Sequence, residues 1–104
     1  MGMDLKPINP SLDAPRNENG EVIWGRYNWR GWGFLCDFLC KAGLNPDELG
    51  FSGLNDGHVI TEENCKKVAD AIEQNLHTLE EDEDKEWLSE HIVRWRTCGG
   101  YEQW

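Results

Sequence analysis

Apolar residues recur at steps of three and four in three stretches of the chain, and each stretch predicts a helix. The first covers about 29–42, where Trp32, Leu35, Cys36 and Leu39 form a stripe with Phe34 and Phe38 beside it. Gly43 suits the left-handed position that ends a helix, Leu44 the accompanying apolar contact, and Pro46 prevents continuation. The second runs over about 62–79, with Cys65, Val68, Ala69, Ile72, Leu76 and Leu79 on one side and Thr61 as N-cap. Glu62 with Lys66 and Glu63 with Lys67 are favourable pairs one turn apart on its wet side. The third spans about 85–97, lined by Trp87, Leu88, His91, Ile92 and Trp95, with Glu90 set to pair with Arg94.

Outside these stretches the helical period is lost. Residues 1–20 hold three of the four prolines and read as an extended or flexible arm, anchored at most by Leu5, Ile8 and Leu12. Glu21–Trp29 carries the β-branched and aromatic character of a short extended segment, and the domain boundary falls near residue 20. Asn55-Asp56-Gly57 is a turn signal leading into His58-Val59-Ile60, long enough for a short strand. The tail 101–104, after Gly99-Gly100, is expected to fold back and pair with that strand. The fold class is therefore α+β, mostly α: three main helices and a small two-stranded β element, in one compact domain over 21–104.

Charge narrows the partners. Twenty acids against ten bases give a net charge of −10 in 104 residues, which repels a phosphate backbone and anionic lipid. The imbalance is local: residues 1–30 hold four acids and four bases, residues 61–104 twelve acids and five bases. Glu80, Glu81, Asp82, Glu83, Asp84 and Glu86, joined by Glu90, form the densest acidic run and the candidate protein-binding face. No stretch reaches the roughly 20 apolar residues that span a bilayer, and Met1–Pro15 has no continuous apolar region typical of a secretory signal. The expected setting is cytoplasmic, with Cys36, Cys40, Cys65 and Cys98 as thiols.

Candidate chemistry is sparse. Cys36 and Cys40, one helical turn apart, supply two thiolates for zinc that Cys65, Cys98, His58 or His91 would have to complete. The usual paired spacing is missing, and small residues beside large rings account for the same cysteines. A cysteine nucleophile would fit only Cys65, in the first turn of a helix, yet Cys65 lies on the apolar stripe. Aligning Asn55–Val59 with a calcium loop sets Leu54 where an acidic ligand is required, so that motif fails. His91 on an inward stripe needs a partner for its ring, while His58 and His77 are expected at the surface. Six tryptophans invite an aromatic pocket or patch built from Trp24, Tyr27, Trp29, Trp32, Trp87 and Trp95, with Arg26 and Arg30 interleaved. Filling the core of a small domain explains most of the same rings.

Trp29-Arg30-Gly31-Trp32, the Asn55–Thr61 step into a helix and the closing Cys98-Gly99-Gly100-Tyr101-Glu102-Gln103-Trp104 together resemble a group of small uncharacterised bacterial and phage-associated proteins. The resemblance covers 29–104, implies that the tail belongs to the fold, and brings no activity, cofactor or catalytic residue with it. The expected function is binding rather than catalysis: a small acidic accessory protein, such as an immunity or inhibitor protein, engaging a basic partner as monomer or homodimer. A small-ligand or enzymatic domain with an aromatic pocket is the alternative, and a structural homodimer a third.

Overall fold

The computed structural model describes residues 2–104. Its elements are β1 (Gly2–Pro7), β2 (Gly25–Asn28), α1 (Trp29–Lys41), α2 (Pro46–Leu49), β3 (Val59–Ile60), α3 (Glu62–Asn75), α4 (Asp82–Thr97) and β4 (Tyr101–Gln103), with a 3-10 turn over Leu76–Thr78. The fold is α+β and mostly helical, and β4 pairs with β3 as the tail was expected to do. The β element is larger than expected, however: the strands make one antiparallel sheet in the order β2-β1-β4-β3.

The first residues account for the difference. Rather than an arm outside the domain, Gly2–Pro7 is an interior strand, with Asp4 opposite Arg26 on one side and Lys6 opposite Glu102 on the other. Met3 and Leu5 point to the core and are fully enclosed, while Asp4 and Lys6 alternate outward. The segment after β1 runs over the end of α4, where the backbone amides of Ile8, Asn9 and Ser11 donate to the carbonyls of Gly100, Cys98 and Thr97. The boundary near residue 20 therefore separates no unit.

Local chemistry sets the helix ends. The Asn28 side chain accepts the Gly31 amide at 2.6 Å and caps α1, whose carboxyl end closes through Gly43 in the left-handed region and a bond from the Leu44 amide to the Leu39 carbonyl. Thr61 caps α3 by accepting from the Asn64 amide. This helix stops at Asn75, four residues short of expectation, where the chain tightens into the 3-10 turn. Helix α4 begins at Asp82, three residues early, because Asp82, Glu83 and Asp84 fill its first turn and lie against the positive end of the peptide dipoles. That attraction outweighs the repulsion among neighbouring carboxylates.

All helices share a core with one face of the sheet. Met3, Leu5, Tyr27, Ile60 and Tyr101 from the strands meet Trp32, Leu35, Leu39, Val68, Ile72, Leu88 and Trp95 from the helices. The tail is fastened there by Gln103, fully buried, whose amide nitrogen donates to the Gly50 and His58 carbonyls at 2.8 and 3.0 Å while its oxygen accepts from the Ser52 amide at 2.7 Å.

Candidate functional site

Strand β2 carries Tyr27 into the core, where α1 presents Trp32 and α4 presents Trp87, His91 and Trp95. The rings pack closely: Trp32 stacks on Phe51 at 4.7 Å between centroids, Phe51 on Trp95 at 5.6 Å, and Trp87 meets Tyr27 edge-on at 5.8 Å. Within this cluster the Tyr27 hydroxyl lies 2.6 Å from His91 Nδ1 and accepts from Trp95 Nε1 at 2.9 Å. Burial, helped by the nearby Arg94 charge, lowers the His91 pKa to about 4, so its ring is neutral near pH 7. Burial pushes the Tyr27 hydroxyl upward, so it keeps its proton and donates it to Nδ1. The imidazole proton then sits on Nε2.

Tyr27 thus satisfies both His91 Nδ1 and Trp95 Nε1 in the interior, and the clefts that border Trp32 and Trp87 are separate ones. Trp24 and Trp29, expected with them, lie apart at 36% and 41% exposure. A cleft of about 390 Å³ touches Trp32, Cys36, Cys40 and Phe51. Another, of about 500 Å³, is lined by Trp24, Arg26 and Arg94. Trp87 borders a third, of about 270 Å³, with Arg30 and Asp84. The aromatic residues therefore divide into an enclosed set and separate surface rings.

The four cysteines do not converge. Cys36 is half-buried and Cys40 exposed on α1, whereas Cys65 and Cys98 are buried near the carboxyl end of α4. Among the described residues no group of three or more His, Cys, Asp or Glu is disposed to hold a metal ion. Burial, then the neighbouring Cys40 and Asp47, pushes the Cys36 thiol up to about 11. Hydrogen bonding with Cys98 and burial push Cys65 upward as well, so the helix amino terminus does not make it a thiolate. His58 and His77 are at the surface, and His58 Nδ1 lies 3.5 Å from Asp56.

The acidic run is the most distinctive surface. Glu80, Glu81, Asp82, Glu83, Glu86 and Glu90 are exposed and Asp84 half-buried. No cation stands within 4.0 Å of any of the seven among the described residues, and Glu90 does not pair with Arg94. Acids of α3 behave differently: Glu62 meets Lys66 at 3.0 Å, while Asp70 and Glu73 share Arg96 at 2.7 and 2.8 Å. No helix of the described residues is long and apolar enough to cross a membrane.

Sequence reasoning missed the roles of Asn55 and Gln103. The Asn55 amide donates to the carbonyls of Gly2 and Trp104, tying the turn to both ends of the chain. Polar residues in a turn and a tail gave no signal of this, since their partners lie about fifty positions away. No protein-family model, curated protein or solved structure matches this chain.

Proposed function

We propose that this chain is a small acidic binding protein that engages a basic protein surface through the carboxylates at the start of α4. The observation that carries the reading is the set of seven acids from Glu80 to Glu90 with no cation within 4.0 Å among the described residues, beside an α3 whose four acids are all paired. Asp82, Glu83 and Asp84, with Glu81 at the N-cap, also favour the helix dipole, but Glu80, Glu86 and Glu90 lie outside that end and gain little from it. Unpaired surface charge of one sign speeds encounter with the opposite sign and discourages acidic partners, which suits an accessory, immunity or inhibitor protein. The setting we infer is the cytoplasm, in keeping with four free thiols.

Replacing Glu80, Glu86 and Glu90 together by Gln tests this without touching the N-cap or first turn of the helix. Proteins captured from native extract at low salt by the wild-type chain should include a basic one that the substituted chain releases. Its affinity should fall at least about tenfold, with a weaker salt dependence. Equal capture and equal salt dependence for the two chains would rule the acidic face out.

A further inference from the structure

The sheet has a second face, turned away from the helices. It carries the outward residues of alternation: Arg26 on β2, Asp4 and Lys6 on β1, Glu102 on β4 and Val59 on β3. Its two cations and two anions cancel, in a molecule of net charge −10. The face also bears apolar surface, with Val59 and Trp104 each 47% exposed. A β-carbon built on Gly57 would meet the Trp104 ring at 2.8 Å, so that indole lies against Gly57, two residues before β3.

Order across the strands gives this face a direction. One row reads Lys6, Glu102, Val59 from β1 to β3, as the register prescribes. Continuing the β1–β2 pairing by one residue adds Trp24 beside Lys6, so the row runs apolar, positive, negative, apolar. The next row runs Arg26, Asp4, Trp104, the last fixed by the Trp104 amide donating to the Asp4 carbonyl at 2.7 Å. A twofold axis parallel to the strands, between β1 and β4, reverses both rows. Lys6 then faces Glu102 of the second copy, Trp24 faces Val59, and Arg26 faces the Trp104 indole over Gly57, a cation–π arrangement. These three pairings each occur twice per dimer, and Asp4 keeps its own chain's Arg26 at 4.0 Å.

We infer that this sheet face is a self-complementary docking surface for a second copy of the chain. Like charge opposes contact elsewhere, as at the acidic run, whereas this face is locally neutral. Single-stranded nucleic acid is a poorer occupant, because two cations alternate with two anions rather than tracking a backbone. A face four short strands wide offers less than the roughly 800 Å² per partner of a standard interface. The dimer is therefore weak, with a dissociation constant on the order of 10–100 µM. The inference is independent of the acidic-run reading.

Sedimentation equilibrium of the intact chain, from about 5 µM to about 1 mM, tests it. The wild-type chain should pass from monomer to dimer across that range. Lys6→Glu should weaken association at least about tenfold, since it turns two attractions into two repulsions. Adding Glu102→Lys to Lys6→Glu restores opposite charges across the axis and should bring the constant back within about threefold of wild type. Arg26→Glu, at an exposed edge position, provides a second weakening change should Lys6→Glu disturb the sheet, and near-ultraviolet circular dichroism shows whether each variant is folded. A wild-type chain that stays monomeric throughout overturns the inference. So does a dimer indifferent to both single substitutions, or a single-stranded oligonucleotide bound in a manner that Trp24→Ala and Trp104→Ala abolish.

Discussion

Tyr27 joins His91 and Trp95 in one buried network, and that network ties stability to pH. The His91 pKa falls from 6.5 when unfolded to about 4 when folded, so between those values the unfolded chain binds the proton more readily. The stability that His91 contributes is complete above pH 6.5 and is lost as pH falls toward 4, a change of roughly 3 kcal/mol. Urea unfolding at pH 7 and pH 4.5 should show wild type losing more stability on acidification than His91→Gln, and parallel losses would refute the assignment. An inward place for His91 was legible from its stripe on the third helix. The identity of its partner was not, because Tyr27 lies 64 positions away and only packing brings the two within 2.6 Å.

At the scale of elements, β1 departs most from what the sequence suggested. Its alternation is short and adjoins a proline-rich stretch, which resembles an open arm. Both of its neighbours come from elsewhere, β2 from residues 25–28 and β4 from residues 101–103. Deleting residues 1–7 should therefore abolish cooperative folding. Burying Met3 and Leu5 alone contributes about 1.5–3 kcal/mol each, and β4 would lose one side of its pairing. The measurement is near-ultraviolet circular dichroism of the tryptophans through thermal melting; a sharp transition near the wild-type Tm would show that β1 is dispensable. The caps at Asn28 and Thr61 show the opposite relation, for Thr61 was recognisable from residues a few positions ahead whereas Asn28 fell inside an apparent strand.

For the whole molecule, charge opposes compactness. Twenty acids and ten bases leave a net charge of −10 that repels itself at low ionic strength, and the seven unpaired acids of the Glu80–Glu90 stretch concentrate that repulsion. Raising salt from about 10 mM to about 150 mM shortens the Debye length from roughly 30 Å to roughly 8 Å. Thermal unfolding at pH 7 should shift upward by a few degrees over that change. The shift should be smaller in the chain with Glu80, Glu86 and Glu90 replaced by Gln. An equal or opposite shift would mean that specific ion pairs, rather than net repulsion, dominate.

The sequence by itself determined the three long helices and the acidic character of the carboxyl-terminal half, because periodicity, N-caps and charge runs act over a few neighbouring residues. The tertiary structure alone decided that β1 lies inside the sheet, that Trp32 and Trp95 are enclosed while Trp24 and Trp29 face solvent, and that the cysteines split into two pairs. Each of those outcomes depends on groups far apart in the chain, and no local pattern encodes which distant surface a strand edge or an aromatic ring will meet.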